Sequence, residues 1–177
     1  PIEDVVFSKQ EIKLIGVGKL LKSKGFDRLL RITKKLIESQ YCVHLYILGE
    51  GPERKELERF IVENNLQDNV TLLGYQLNPY KYVAKCDLFV CSSVAEGFST
   101  AATEALIVGT PVITTPVAGM AEMLGANGEY GIITEMSEES LYEGIKLKKW
   151  YLVICGIVQT LIAVMAILLF VGQVVLA

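Results

Sequence analysis

Two glutamates in the middle of the chain flank a segment that could bind a sugar and a phosphate. Glu96 and Glu104 have seven residues between them, and Glu96 closely follows the apolar run Leu88–Cys91. Such a run predicts a buried strand, and Ser99 and Thr100 are typical N-caps for the alanine-rich helix that follows. Ligands of open α/β sheets bind at this end of the strands, where free N–H groups and the helix dipole suit a phosphate. We therefore predict a binding site here, with Glu104 accepting hydrogen bonds from sugar hydroxyls.

Helix capping is the ordinary alternative for glutamates near a helix start. A capping box places the acid three residues after the N-cap, and those positions hold Ala102 and Thr103. Glu104 therefore misses that role, and Glu96 precedes the helix altogether. Spacing alone leaves both a functional role and an ordinary helix-start role open for these glutamates.

A second segment that could bind phosphate lies near the start of the chain. Lys19 and Lys24 follow the predicted strand Glu11–Val17, in a loop that also contains Gly18. Lysine binds phosphate as a point charge. The glycine spacing is neither the dinucleotide fingerprint nor a P-loop, and loop lysines are commonly just solvated. This loop alone does not identify a site.

Apolar strands alternate with amphipathic helices along most of the chain. The predicted strands are Glu11–Val17, Val43–Leu48, Val70–Leu73, Asp87–Cys91, Pro111–Thr114 and Tyr130–Ile133. The predicted helices are Phe26–Ile37, Glu53–Glu63, a short one after Pro79, Ala101–Val108, one near Met120–Leu124, and Glu138–Lys148. This alternation predicts a parallel sheet covered on both faces, and right-handed crossovers make it a Rossmann-like, doubly wound α/β domain.

Six segments in register resemble the nucleotide-binding, C-terminal half of the retaining glycosyltransferases of family 4 (group 1), which have the GT-B fold. The segments are Gly18–Asp27, Leu48–Pro52, Val70–Gly74, Ser92–Glu104, Gly109–Ile113 and Val117–Glu122. The resemblance covers about residues 11–135 and includes the E-x7-E pattern of Glu96 and Glu104. It implies a transferase that moves a sugar from a nucleoside-diphosphate sugar to a saccharide or lipid-linked acceptor, in surface polysaccharide or glycolipid synthesis.

The resemblance also implies a role for each candidate residue. Lys19 and Lys24, with Gly18 in the same loop, would bind the donor diphosphate, and Glu104 would hold the ribose hydroxyls. Glu96 would be the catalytic residue facing the transferred sugar. The backbone N–H groups around the sugar and phosphate would be those of Gly97, Phe98, Ser99 and Thr100. Preorganised lysines and N–H groups would stabilise the departing diphosphate, and the resemblance implies no metal and no obligatory cofactor beside the donor substrate.

The chain departs from the family pattern in several respects, of which two bear on the site. Lys19 stands where the family usually has arginine, so a point charge replaces a bidentate fork. The chain also has no room for the N-terminal GT-B domain, which supplies the acceptor site in this family. We therefore expect a partner half or a missing N-terminal domain, and a chain that is incomplete as an enzyme.

The C-terminal end of the chain predicts a transmembrane helix. Residues 150–177 form a stretch of 28 residues without a charged side chain, and about 20 apolar residues suffice to span a bilayer. A buried core helix is the alternative, but it rarely runs this long without a charged face. Lys146, Lys148 and Lys149 precede the stretch, which indicates that residues 1–149, the donor-binding domain, lie in the cytoplasm.

Charge and cysteine content argue against a nucleic-acid-binding protein and against a cysteine metal site. The formal net charge is −3, with basic residues spread among acids, so we expect no nucleic-acid partner. The four cysteines lack metal-ligand spacing, and we expect Cys42 and Cys91 to lie in strands as small buried apolar residues.

Two other functions remain open. The chain could be a membrane-tethered module that binds a nucleotide-sugar without turning it over. It could also belong to a GT-B sugar-nucleotide epimerase, which would need acid–base residues from the missing domain. Tyr75 and Tyr80 could flank the nucleotide base, or simply pack beside a strand end.

Overall fold

The computed structural model describes residues 11–125, 128 and 130–147. The chain divides into two compact units, Pro1–Gly144 and Ile145–Ala177. The predicted transmembrane helix at residues 150–177, and the predicted domain boundary before it, lie outside the described residues and stay predictions. Among the residues that are described, none of the helices combines the length and apolar character needed to cross a membrane.

The first unit contains the predicted six-stranded parallel sheet. Its strands are β1 (Ile12–Val17), β2 (Val43–Leu48), β3 (Val70–Gly74), β4 (Leu88–Cys91), β5 (Val112–Thr114) and β6 (Gly131–Ile133). The helices are α1 (Phe26–Glu38), α2 (Arg54–Glu63), α3 (Tyr80–Val83), α4 (Thr100–Ile107) and α5 (Met120–Leu124), and residues 138–144 are also helical. The strand order is β3-β2-β1-β4-β5-β6, with every pair parallel. This is a Rossmann-like order, so the predicted fold class is confirmed for this unit.

The strand order places a binding crevice beside β1. The chain builds outward from β1 to β3 in one direction, and then returns to the other side of β1 with β4. Ligands of doubly wound sheets bind where the order reverses, beyond the carboxyl ends of the strands. The loops that follow Val17 of β1 and Cys91 of β4 therefore form the two sides of the expected site.

The core consists of apolar side chains from the strands and from one stripe of each helix. Leu14, Ile15 and Phe89 in the central strands are almost fully buried. In α1 the side chains of Leu29 and Leu36 lie two turns apart and are also buried, which is the spacing of an amphipathic helix. Burial of both faces of the sheet explains why the central strands are continuous apolar runs. A rigid sheet thus supports the loops at its edge.

Two local predictions differ from the structure. Cys42 was expected in a strand, but it lies just before β2 and is exposed, because pairing with β1 begins at Val43. Cys91 lies in β4 and is buried, as expected. The structure also contains a short 3-10 helix, Lys22–Lys24, that the sequence pattern did not indicate.

Candidate functional site

The loops after β1 and β4 are joined directly at the carboxyl edge of the sheet. The Ser92 hydroxyl donates to the Lys24 carbonyl at 3.1 Å, and the Val94 N–H donates to the Ser23 carbonyl at 2.8 Å. Between these contacts Gly25 has φ +64°, and a Cβ there would lie 2.2 Å from the Ser92 carbonyl oxygen. Only glycine combines this conformation with this close approach. The backbone of Lys24 is therefore fixed against the β4 loop.

Lys24 and Glu96 form an ion pair in the crevice between these loops. The ammonium nitrogen lies 2.9 Å from Glu96 Oε1, and the two side chains are 28% and 6% exposed. The Ser93 hydroxyl donates to the same oxygen, and the Cys91 sulfur lies 3.7 Å from it. Burial alone would raise the pKa of Glu96, but the hydrogen bonds from Ser93 and Lys24 outweigh it and hold that pKa below its usual range. The carboxylate is therefore ionised at neutral pH.

The start of α4 supplies backbone donors beside this ion pair. Ser99 is the N-cap, and its hydroxyl accepts from the Ala102 N–H at 3.4 Å, as the sequence predicted. The segment from Gly97 to Thr100 is exposed except for Ser99. In the described part of the chain, no hydrogen bond from the N–H groups of residues 97–100 to another residue is formed. These donors are therefore available to an anionic ligand.

Phe98 lies against a glycine turn on the far side of the α4 loop. A Cβ on Gly119 would come within 2.8 Å of the Phe98 ring, which is itself 57% exposed. The ring is thus held at the surface by packing on one face. Phe98 lines neither of the two spaces described at this edge of the sheet.

A larger cavity lies on the other side of β1, at the carboxyl ends of β1, β2 and β3. Its volume is about 450 Å³, within the range of small-molecule sites. Gly18 and Lys19 lie on one side, and Tyr75 and Leu77, both strongly exposed, lie on the other. Val17 borders both this cavity and the small pocket of Lys24 and Glu96. The two spaces are therefore neighbours along one edge of the sheet.

Five of the nine predicted site residues are brought together in two groups, and Gly97, Phe98, Thr100 and Glu104 line neither space. Lys24, Glu96 and Ser99 line the same small pocket, whereas Gly18 and Lys19 line the larger cavity. Glu104 lies on α4, one turn beyond the helix start, and lines neither space. Its side chain is half-buried and has no hydrogen-bond or ion-pair partner among the described residues. No group of three or more His, Cys, Asp or Glu side chains that could hold a metal exists within that part of the chain.

The sequence did not reveal the hydroxyl groups that support Glu96. Ser93 contacts the carboxylate directly, and the hydroxyl of Thr115, which follows β5, donates to the Ser93 carbonyl at 2.5 Å. A serine three residues before a candidate catalytic acid was the available signal. Serine is common beyond strand ends, and its contact with Glu96 depends on how the loop turns.

The family model of the group 1 glycosyl transferases matches residues 2–149. The chain is 38% identical over 146 residues to N-acetylgalactosamine-N,N'-diacetylbacillosaminyl-diphospho-undecaprenol 4-alpha-N-acetylgalactosaminyltransferase of Campylobacter jejuni, which covers 82% of this chain and 39% of that protein.

Two solved structures have a similar fold. WaaG, a glycosyltransferase involved in lipopolysaccharide biosynthesis, has a TM-score of 0.70 at 26% identity, with 80% of this chain and 38% of that chain covered. HepE of Anabaena in complex with UDP-glucose has a TM-score of 0.65 at 25% identity, with 74% and 37% covered. The chain thus spans less than two fifths of the length of each of these three relatives.

Proposed function

Because the chain belongs to the group 1 glycosyltransferases and forms the C-terminal half of a GT-B fold, we propose that it binds the sugar donor of a retaining enzyme of family 4. The complete enzyme moves a sugar from a nucleoside-diphosphate sugar to a saccharide or lipid-linked acceptor. The observation that carries the proposal is the Lys24–Glu96 pair beside the start of α4, in the crevice where the strand order reverses.

The electrostatics of this crevice suit a diphosphate. The Lys24 ammonium is more than a quarter exposed and can turn toward a ligand, and Ser99, the N-cap of α4, lines the same pocket. A departing nucleoside diphosphate gains negative charge, which preorganised donors of this kind stabilise. The neighbouring cavity, with Lys19 at its rim and Tyr75 exposed, has the size and the aromatic wall that a nucleotide base requires. HepE, which has a similar fold, is known in complex with UDP-glucose.

The two glutamates have different parts in this proposal. Glu96 is ionised, nearly buried, and directed into the pocket with Lys24, so it faces the transferred sugar and balances positive charge that develops there. Glu104 lies one turn along α4, has no partner among the described residues, and accepts hydrogen bonds from the ribose hydroxyls. The leaving phosphate guides the acceptor to the same face of the sugar, and the configuration at the anomeric carbon is retained.

The acceptor and its binding site are proposed to lie outside this chain. The Campylobacter relative is named for a diphospho-undecaprenol acceptor, and WaaG for lipopolysaccharide biosynthesis. We therefore assign the chain to surface polysaccharide or glycolipid synthesis, with an N-terminal half or a partner half supplying the acceptor site.

Residues 150–177 are proposed to tether the domain to the cytoplasmic face of a membrane, close to such acceptors. Deletion of these residues is expected to move the protein from the membrane fraction to the supernatant after carbonate extraction, because the apolar stretch supplies the anchor. The full chain, extracted under the same conditions, is the control and should stay in the membrane fraction. Membrane association that survives the deletion would show that another part of the chain binds the membrane.

Donor binding is tested by calorimetric titration of the full chain, in mild detergent, with UDP and with GDP. We expect saturable binding of one nucleotide, which also identifies the base. Glu104→Ala should lower the affinity about tenfold, since it removes a charged acceptor for ribose hydroxyls. Glu63→Ala, at an exposed position at the end of α2, is the control with the same change in charge. Equal effects of the two substitutions would refute the role of Glu104, and no binding of either nucleotide would refute the donor site.

Transfer is tested in the complete two-domain protein. Proton NMR of the product should show a glycosidic bond with the anomeric configuration of the donor. An inverted product would contradict retention, and an epimerised free sugar would assign the chain to the epimerases instead.

A further inference from the structure

The hydroxyl of Ser93 has no part in the reaction described so far, although it contacts Glu96 directly. We propose that Ser93 is a positioning residue, whose hydroxyl holds the Glu96 carboxylate in place when Lys24 turns to the donor diphosphate. The inference rests on the proposed function of the site and adds a residue that the E-x7-E pattern does not contain.

The contacts of Glu96 converge on one oxygen. Oε1 accepts from the Ser93 hydroxyl and from the Lys24 ammonium at 2.9 Å, while the Cys91 sulfur lies 3.7 Å away. Lys24 and Cys91 are the titratable groups facing this carboxylate among the described residues, and a thiol is a weak donor. Ser93 is therefore the strongest neutral donor to Glu96.

Ser93 is held by the neighbouring strand as well as by the backbone of the lysine loop. Its side chain is 2% exposed, and its carbonyl accepts from Thr115 Oγ1 at 2.5 Å. Thr115 is fully buried, and its N–H donates to the Cys91 carbonyl at 3.1 Å. The peptide that carries the Ser93 hydroxyl is thus tied to the end of β5. Rotation of the Lys24 side chain leaves this attachment unchanged.

The Glu96 carboxylate and a bound diphosphate compete for the Lys24 ammonium, and this competition makes the Ser93 hydroxyl necessary. A diphosphate in the crevice attracts the Lys24 ammonium, which then no longer belongs to Glu96 alone. The Glu96 side chain is 6% exposed, and a shielded carboxylate without partners takes up a proton. The Ser93 hydrogen bond remains in that state and favours the ionised form. Its contribution should therefore be larger with nucleotide bound than without.

The test is a measurement of the Glu96 pKa by carbon-detected NMR in the full chain, labelled with ¹³C-glutamate and kept in mild detergent. Glu96→Gln assigns the resonance. In Ser93→Ala we expect the pKa of Glu96 to rise by about one unit, the size expected for loss of a hydrogen bond to an ion. Ser93→Thr retains a hydroxyl and should restore the original value. Saturating UDP should enlarge the difference between wild type and Ser93→Ala.

Thr110→Val is the matched control, because it also removes a buried hydroxyl, but one that donates to the Val83 carbonyl at a position outside the pocket. It should leave the Glu96 pKa unchanged. An unchanged pKa in Ser93→Ala, or an equal rise in Thr110→Val, would overturn the inference. Should Ser93→Ala fail to fold, Ser93→Cys supplies the same comparison with a weaker donor.

Different results would contradict the role of Ser93 and the proposed donor site. Absence of both UDP and GDP binding by the wild-type chain contradicts the donor site, and the pKa comparison in the free chain still decides whether Ser93 holds Glu96. Binding of either nucleotide together with an unchanged Glu96 pKa overturns only the role of Ser93.

Discussion

Replacing Lys24 with methionine is expected to weaken UDP or GDP binding by at least tenfold. A hydrogen bond to a charged group contributes about 1.5–3 kcal/mol, and about 1.4 kcal/mol corresponds to a factor of ten in the dissociation constant. Methionine has a similar length and no charge, so the loop keeps its packing. Calorimetric titration of the full chain in mild detergent measures the change.

Lys22→Met is the matched control for this substitution. Lys22 lies on the same 3-10 helix as Lys24, but its side chain is 74% exposed and pairs with Glu53 at 3.3 Å. Exposed pairs of this kind contribute about 0–1 kcal/mol, so nucleotide affinity should change less than about twofold. Equal losses in both variants would indicate an effect of net charge alone. No loss in either would show that Lys24 serves only as the counterion of Glu96.

Lys24→Met should also weaken the dependence of stability on pH. The pKa of Glu96 lies below its usual range in the folded chain, so its ionisation stabilises the fold above the pKa of the unfolded chain, and this stabilisation is lost as the pH falls through the folded pKa. Without the ammonium, the folded pKa rises toward the unfolded one. The stabilising contribution of Glu96 at neutral pH should therefore shrink in the variant.

The sheet could be predicted from the sequence because its signals are local. Each strand is a short apolar run bounded by turn residues, and each crossover is long enough for a helix. The handedness of such crossovers then restricts the topology. The ends of the elements were less certain: β1 begins at Ile12 and not at Glu11, and α4 begins at Thr100. The residue at which a strand or helix begins depends on its neighbouring strand or its cap, and the local sequence pattern does not specify these neighbours.

The site could be predicted only as a set of separate parts. Lys24 and Glu96 were each identified from their own loop, but the pattern gave no reason for them to contact each other across 72 residues of chain. That contact depends on the pairing of β1 with β4. Thr115 was missed for the same reason, since its hydroxyl acts on a loop from another strand. Local sequence identifies chemical groups, and tertiary pairing decides which of them meet.

Replacing Gly25 with alanine is expected to lower the free energy of unfolding by about 2–5 kcal/mol, because two penalties add at this position. A left-handed conformation costs an alanine roughly 1–2 kcal/mol, and Gly25 has φ +64°. The new Cβ would also lie 2.2 Å from the Ser92 carbonyl oxygen, and overpacking against a fixed backbone costs about 1–3 kcal/mol. Urea unfolding of the full chain, followed by circular dichroism, measures the sum.

Two other glycines separate the two penalties. Gly109 has φ +81°, but a Cβ added there would meet no atom of the described residues within 4 Å, and Gly97 has neither a positive φ nor such a neighbour. We therefore expect a loss of about 1–2 kcal/mol in Gly109→Ala and almost none in Gly97→Ala. The Gly25 variant should also bind nucleotide more weakly, because a displaced β4 loop separates Lys24 from Glu96. A loss in Gly25→Ala no larger than that in Gly109→Ala would show that the loops move apart freely, and that their close approach does not hold the ion pair together.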